Sequence, residues 1–335
     1  MREHEGGPKR VGVLGTLVWD TIRYRDGRSE PVEEWGGIGY ALSAFEAALP
    51  PHWEIVPIIK VGSDLSEAAW RFLRDLPRSD VETGVLVVPD PNNRVELTYV
   101  GDERRSERLT GGVPPWLWAE LGPLVGTCDA LYVNFISGFE MELDTARALR
   151  STFPGPTYAD LHSLFLGMGR SGTRIPQELP SWGAWLRCFD AVQMNEQEFE
   201  LLGRATGDPW ELAAHVVGPD LKLIAVTLGP KGAGYVAGGG FDGDPTTWPT
   251  MRHRVAAPGP AHSGRILSES GELRGDPTGC GDVWGATFFA RLLGGTGLHS
   301  AMIDANRMAS SNVGHRGASG LNRHLRGRLS AQRDA

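Results

Sequence analysis

The feature that most constrains the fold is an alternation of strand and helix patterns through most of the chain. Short apolar runs such as "EIVPIIKVG" (54–62) and "DALYVNFI" (129–136) predict buried strands, and amphipathic runs such as "SEAAWRFLRDL" (66–76) predict helices. Strands that alternate with helices favour a mostly parallel sheet with helices on both faces. We therefore predict an α/β fold.

One segment interrupts this alternation. Residues 81–109 hold two or three β-rich runs, separated by "PDPNN" and "GDERR", with no helix pattern between them. Such clusters of proline, glycine, asparagine and aspartate are typical of hairpin turns. The predicted division of the chain has three parts: a discontinuous core of residues 10–22, 35–80 and 110–320, a β lid of residues 23–34 and 81–109, and a basic tail of residues 321–335.

Composition narrows the class of protein. The 335 residues are 41% hydrophobic and 22% charged, as in ordinary globular proteins. The net charge of -8 argues against binding to nucleic acid or to an anionic membrane surface. No run approaches the roughly 18 apolar residues of a membrane span, and the widely spaced Cys128, Cys188 and Cys280 form no CxxC pair. We expect a cytoplasmic protein without a nucleic acid or membrane partner.

The segment "GDPTGCGDVWG" (275–285) places glycines and carboxylates at the start of a helix pattern. Amides in a first helical turn lack intrahelical partners and lie at the positive end of the helix dipole. Gly279 and Gly281 keep side chains away from those amides, which predicts an anion site. Asp282 would repel the anion unless it faces a hydroxyl group that attacks the anion, in which case it is a general base. A capped tight turn without chemistry is the alternative, and these residues alone leave both open.

Several motifs along the chain resemble those of the ribokinase-like (PfkB) carbohydrate kinases, whereas the nucleotide-binding pattern GxxxxGK[ST] is absent from the chain and GxGxxG is absent after the first predicted strand. The segment "DPTGCGDVW" resembles the DTTGAGDxF signature of that family. The other matching segments, in chain order, are "GVLGTLVWD", "GGIGYALSA", "VGSDLSEAAWRFL", "YVGDERRSE", "VQMNEQEFELL", "VTLGPKGAGYV" and "ANRMASSNVGHRGA". The resemblance spans residues 10–320 and implies a ribokinase-like three-layer αβα core with a small β lid.

The resemblance also implies an activity, the ATP-dependent transfer of the γ-phosphoryl group to a hydroxyl group of a small molecule. Asp282 would be the general base, and the amides of Gly279, Cys280 and Gly281 would form the anion hole. The other implied site residues are Asp20, Gly36, Gly37, Tyr40 and Arg104 for the substrate, Thr227, Gly229, Gly232 and Asn306 for ATP, Asn195 and Glu198 for Mg²⁺ through water, and Asp276 for K⁺. Asn195 and Glu198 also fit a capped helix start, and Asp276 also fits a pinned turn.

Departures from the family pattern leave the acceptor open. Ala41 stands where many of these sugar kinases carry an asparagine that binds sugar hydroxyls, and Pro277 replaces a threonine and removes one amide. We expect a sugar or a sugar derivative, such as a sugar acid or a cyclitol, as the acceptor. The alternatives are a nucleoside or vitamin kinase of the same fold, and a catalytically weak sensor of sugar or nucleotide. Exposed strand edges in the lid would allow a homodimer.

Overall fold

The computed structural model describes residues 7–23, 30–99, 105–204, 207–252, 259–269 and 275–327. The strands are β1 (Lys9–Leu14), β2 (Leu17–Arg23), β3 (Val32–Gly37), β4 (Trp53–Gly62), β5 (Val85–Val88), β6 (Arg94–Tyr99), β7 (Arg105–Thr110), β8 (Ala130–Asn134), β9 (Thr157–Asp160), β10 (Leu166–Met168), β11 (Arg174–Pro176), β12 (Ala191–Asn195), β13 (Leu223–Thr227), β14 (Ala233–Ala237) and β15 (His262–Ile266).

The helices lie between these strands and after them. They are α1 (Ile38–Ala48), α2 (Ser66–Arg74), α3 (Val81–Gly84), α4 (Trp118–Val125), α5 (Leu143–Thr152), α6 (Trp182–Leu186), α7 (Glu196–Gly203), α8 (Pro209–Val216), α9 (Trp248–Met251), α10 (Cys280–Leu293), α11 (Leu298–Asn312) and α12 (Leu321–Leu325). Short 3₁₀ helices span His162–Phe165, Arg170–Gly172, Gly229–Lys231 and Pro245–Thr247. Within the described ranges, every helix is too short or too polar to cross a membrane.

A large sheet forms the centre of the molecule. In the described part of the chain, nine strands follow the order β15-β14-β13-β12-β9-β8-β1-β4-β5. Neighbouring strands are parallel except at β13–β14 and β14–β15, which are antiparallel. Every residue of β8 and β9 is buried, as expected for strands that are covered on both faces. The predicted α/β class with a mostly parallel sheet is confirmed.

Helices cover both faces of this sheet, and each face has its own apolar core. On one face, side chains of α1 and α10, including Phe45 and Phe288, are completely buried. On the other face, residues of α5 and α7, including Leu149 and Phe199, pack in a second cluster. The chain therefore has the three layers, αβα, that the sequence predicts.

The β lid is a second sheet, with the strand order β3-β2-β6-β7. Strands β2 and β6 are parallel, and the outer pairs are antiparallel. One face, here called the inner face, carries an apolar cluster against which Ile136 packs. The cluster consists of Val18, Ile22, Val95, Leu97 and Leu109. Because Ile136 follows β8 closely, the inner face lies over the carboxyl end of that strand.

Several segments differ from the predicted boundaries. Strand β2, most of which was predicted to lie in the core, belongs to the lid sheet. Strand β5, within the predicted lid, pairs with β4 in the large sheet, as an apolar "VLVV" run can. Strand β3 extends the lid through Gly37, into the predicted core. Helix α12, in the predicted basic tail, packs on the core because Leu321 is completely buried there. Residues 24–29 and 100–104 of the predicted lid, and residues 328–335 of the tail, lie outside the described residues.

Candidate active site

Polar side chains gather at the carboxyl ends of the parallel strands, around the start of α10. Asn134, the last residue of β8, donates from Nδ2 to Oδ1 of Asp282 over 2.7 Å. Asn134 is completely buried, and Asp282 is half-buried. Ligand sites of open α/β sheets lie beyond the carboxyl ends of the strands. Asp282 occupies such a place, and Asn134 fixes one oxygen of its carboxylate.

Gly279, the residue before α10, is required for two reasons. Its φ of 78° lies in the left-handed region, which glycine adopts without strain. A Cβ at this position would also come within 2.3 Å of Cδ1 of Tyr40. Tyr40, predicted to bind substrate, is 2% exposed and lies directly against the predicted anion loop.

The amides of this loop are not equally available to an anion. The amide of Cys280 donates to the carbonyl of Pro277 over 3.1 Å. Its thiol donates to the carbonyl of Ala309 over 3.3 Å. Cys280 thus contributes to the turn and to packing in this conformation, and its predicted use in the anion hole would require that turn to change. Gly279 and Gly281 remain the candidate amide donors.

Asp276 pins the turn that precedes the loop. Its Oδ1 accepts a hydrogen bond from the amide of Thr278 over 2.9 Å, and its own amide donates to the carbonyl of Val313 over 3.1 Å. The carboxylate is 7% exposed. These contacts fit the turn-pinning alternative, and K⁺ binding by Asp276 stays a prediction.

A buried hydrogen-bond network, which sequence reasoning missed, connects strands β9 and β12 to the loop before Asp282. Gln193 of β12 donates from Nε2 to Oδ2 of Asp160 over 2.9 Å and to the carbonyl of Gly281 over 3.0 Å. The hydroxyl of Tyr158 donates to Oε1 of Gln193 over 3.0 Å. Burial, followed by the nearby Asp282 carboxylate, raises the pKa of Asp160 to about 8. The signal in the sequence is a polar residue inside or at the end of an apolar strand, as in "TYADLH" and "AVQMN".

Asn195 and Glu198 form a capping box at the start of α7. The amide of Asn195 donates to Oε2 of Glu198 over 2.8 Å, and Oδ1 of Asn195 accepts from the amide of Glu198 over 3.0 Å. His162 Nδ1 lies 2.5 Å from Oε1 of Glu198. Burial by itself lowers the pKa of His162, but the Glu198 carboxylate outweighs burial and raises this pKa to about 9.

These contacts do not fit direct coordination of Mg²⁺ by Asn195 and Glu198. Both oxygens of Glu198, which is 5% exposed, already accept hydrogen bonds, and a second donor, Asn195 Nδ2, shares Oε1 over 2.5 Å. Nor do three His, Cys, Asp or Glu side chains converge on a metal position anywhere in the described ranges. Binding of Mg²⁺ through water stays a prediction.

The predicted substrate residues meet where the lid joins the core. Asp20 of β2 is 5% exposed, and a Cβ on Gly36 would come within 1.8 Å of its Oδ2. Gly36 therefore leaves room for this carboxylate. Gly37 has a φ of 58° and turns the chain from β3 into α1, the helix that carries Tyr40. Arg104 lies outside the described residues.

Arg174, which sequence reasoning also missed, lies on the inner face of the lid. Thr173 pairs with Arg108, whose side chain is on the outer face, and successive side chains alternate between faces. Arg174 is 6% exposed, and its Nη2 donates to the carbonyl of Ser163 over 3.2 Å. Its Nε and Nη1 are buried and have no acceptor in the described part of the chain. Burial lowers the pKa of Arg174, and the nearby carboxylates of Glu107 and Glu140 oppose that change.

The predicted ATP residues lie further along the same edge of the sheet. Thr227 ends β13, and Gly229 and Gly232, with φ of 56° and 93°, make the turn into β14. The side-chain amide of Asn306 is used within the protein. Its Oδ1 accepts from Nε1 of Trp284 over 2.8 Å, and its Nδ2 donates to a carbonyl at the end of β15 over 3.3 Å. Asn306 thus braces α11 against β15 in this conformation.

Sequence comparison finds neither a matching protein-family model nor a matching curated protein. Solved structures do match. A pyrophosphate-dependent kinase in the ribokinase family, in complex with sulfate, is 20% identical with a TM-score of 0.69, covering 94% of this chain and 99% of that chain. The chain has the ribokinase fold.

Two further structures agree with this assignment. An adenosine kinase from Sinorhizobium meliloti is 17% identical with a TM-score of 0.68, covering 97% of this chain and 100% of that chain. A ribokinase from Thermotoga maritima is 16% identical with a TM-score of 0.66, covering 96% of this chain and 99% of that chain. These structural neighbours are ribokinase-family kinases. They confirm the ribokinase-like fold that the sequence motifs implied.

Proposed function

We propose that the chain is a phosphotransferase that moves a phosphoryl group to a hydroxyl group of a small molecule. The observation that carries this proposal is the Asp282 carboxylate, which Asn134 holds in the first turn of α10, beside Gly279 and Gly281. Phosphoryl transfer requires a base that accepts the proton of the attacking hydroxyl group and amide donors that stabilise the transferred anion, and this arrangement places both side by side. The ribokinase fold of the chain supports the same conclusion.

In the proposed reaction the acceptor oxygen attacks phosphorus while its proton passes to Asp282. The bond between phosphorus and the leaving oxygen breaks in line, and the leaving group departs with the bonding electrons. The amides of Gly279 and Gly281 stabilise the charge on the transferred group. Such transfer depends mainly on positioning and on electrostatic stabilisation.

We propose ATP as the donor, at the turn formed by Thr227, Gly229 and Gly232. Pyrophosphate is a second candidate donor. One reason is the similarity to a pyrophosphate-dependent kinase. The other is Asn306, a predicted ATP residue, whose side-chain amide already forms hydrogen bonds within the protein.

For the acceptor we propose a sugar or a sugar derivative between Asp20, Gly36, Gly37 and Tyr40. Arg174, buried on the inner face of the lid, is a reason to include sugar acids. A nucleoside acceptor remains the alternative, since an adenosine kinase is among the structural neighbours. Binding of K⁺ at Asp276 and a homodimer formed through the lid are further proposals.

The deciding experiment measures donor turnover with sugars, sugar acids, cyclitols and nucleosides, each with ATP and with pyrophosphate, in the presence of Mg²⁺. We expect one acceptor class to be phosphorylated with one of the two donors. Binding of a donor without turnover of any acceptor would favour the sensor and contradict the proposed phosphotransferase.

A further inference from the structure

One buried side chain has no part in the chemistry proposed so far. Gln193 is 1% exposed in β12, where its neighbours Ala191, Val192 and Met194 are completely buried and apolar. Burial of an amide costs about 2–7 kcal/mol when it lacks hydrogen-bond partners. A glutamine at this position therefore depends on partners that the surrounding elements supply.

Those partners come from the neighbouring strand β9 and from α10. Oε1 accepts from the hydroxyl of Tyr158, while Nε2 donates both to Asp160 and to the carbonyl of Gly281. The Gly281 carbonyl fixes the orientation of the amide, because the reversed amide would set Oε1 against this carbonyl oxygen. A buried polar network whose members are satisfied holds its elements rigidly.

Gly285 of α10 shows how closely the helix approaches this network. A Cβ on Gly285 would come within 2.1 Å of Oε1 of Gln193 and within 2.8 Å of the hydroxyl of Tyr132. Glycine inside a helix costs about 1 kcal/mol relative to alanine. The close contact with Gln193 explains why the helix has a glycine at this position.

We propose that Gln193 is the positioning residue of Asp282. It ties the first turn of α10 to β9 and β12 through the carbonyl of Gly281, while Asn134 holds the Asp282 carboxylate itself. Gly281 directly precedes Asp282, so a shift of its carbonyl would move the base and the amide donors together. This inference rests on the proposed phosphotransferase, since it assigns Gln193 a part in that reaction.

The first test replaces Gln193 itself. Gln193→Leu removes the hydrogen bonds, and Gln193→Glu replaces the Nε2 donor by an oxygen, which cannot donate to the Gly281 carbonyl. We expect kcat, normalised to the folded fraction, to fall about 10- to 100-fold in both variants, because displacements near 1 Å cost about that much. The KM values for donor and acceptor should change less than about threefold.

A matched pair of tyrosine variants tests the same point with less disturbance of the core. Tyr158→Phe removes the hydroxyl that holds Gln193, whereas Tyr132→Phe removes a buried hydroxyl without a partner in the described part of the chain. The two rings stack with centroids 5.6 Å apart. We expect kcat to fall severalfold in Tyr158→Phe and to stay unchanged in Tyr132→Phe.

The outcomes distinguish a positioning role of Gln193 from a role in folding stability alone. Loss of thermal stability in the Gln193 variants with a normal kcat for the folded fraction would overturn the positioning role. Equal kcat values in the two tyrosine variants would overturn it as well, and this pair decides the question if the Gln193 variants do not fold. Absence of turnover in the wild type with every donor and acceptor would instead overturn the proposed function, and the positioning role with it.

Discussion

Two buried carboxylates, Asp190 and Asp160, lie at opposite ends of two neighbouring strands of the large sheet and have opposite surroundings. Asp190 precedes β12 at the amino end, where three cations donate to it. They are Arg150 over 2.8 Å, Lys222 over 3.0 Å and Arg252 over 2.9 Å. Burial raises the pKa of Asp190, but these cations outweigh burial and hold that pKa below its ordinary range.

At the carboxyl end, Asp160 accepts hydrogen bonds from Gln193 and from the amide of His162. Burial and the Asp282 carboxylate together raise its pKa to about 8. At the amino end, cations keep the buried carboxylate ionised, and that end serves the fold. At the carboxyl end, burial and a neighbouring carboxylate favour the protonated form of Asp160. A strongly shifted pKa of this kind is typical of functional sites. Three predictions test this contrast, in order of their expected effect on the free energy of unfolding.

The largest loss of stability is expected at the amino end. Asp190→Asn leaves three cations, one of them the 1% exposed Lys222, without their shared counter-charge. We expect the free energy of unfolding to fall by about 3–5 kcal/mol, measured by denaturant titration at neutral pH. Asp144→Asn, which breaks an exposed ion pair with Arg147, is the control and should change little. A similar, small change in both variants would contradict the contrast.

A smaller effect, visible as a pH dependence, is expected at the carboxyl end. The pKa of Asp160 is about 8 in the folded chain against an ordinary 3.8, so between these values the folded state binds a proton that the unfolded state has released. Stability should therefore fall as pH rises through this window. We expect the free energy of unfolding of the wild type to fall by about 1–2 kcal/mol more between pH 5 and pH 6.5 than that of Asp160→Asn.

The comparison of the two proteins isolates Asp160, because other shifted groups, such as His315 with a lowered pKa and Glu46 with a raised pKa, contribute to both. His162, with its pKa raised from 6.5 to about 9, loses its stabilising contribution only above pH 6.5, and Asp190 loses its own contribution only in acid. Denaturant midpoints of wild type and Asp160→Asn at both pH values provide the measurement. Equal slopes in the two proteins would show that Asp160 is ionised in the folded state.

Much of the fold and the sequence-contiguous part of the site could be predicted from the sequence. The alternating patterns predicted the αβα layers because most of the buried strands are mainly apolar runs. The loop around Asp282 was recognised because its glycines and carboxylate are adjacent in the chain. The Asn195 and Glu198 pair was recognised for the same reason, and the structure shows it as the capping box that the plainer interpretation expected.

The supporting residues escaped sequence reasoning because they come from separate strands. Asn134, Asp160 and Gln193 are single polar residues in or at the ends of β8, β9 and β12, and only the strand order brings them together. Asn134 and Asp282 are 148 positions apart in the chain. Strand order is set by long-range packing, which local patterns do not encode.

The most direct test of the central claim is Asp282→Asn, which should change stability least of the three substitutions. We expect the free energy of unfolding to stay within about 1 kcal/mol of the wild-type value, since Asp282 is only half-buried. The kcat for phosphoryl transfer should fall by about 10²- to 10⁴-fold, with donor binding largely intact, because a neutral amide cannot take the proton of the acceptor. A near-normal kcat in a stable Asp282→Asn protein would contradict the assignment of Asp282 as the general base.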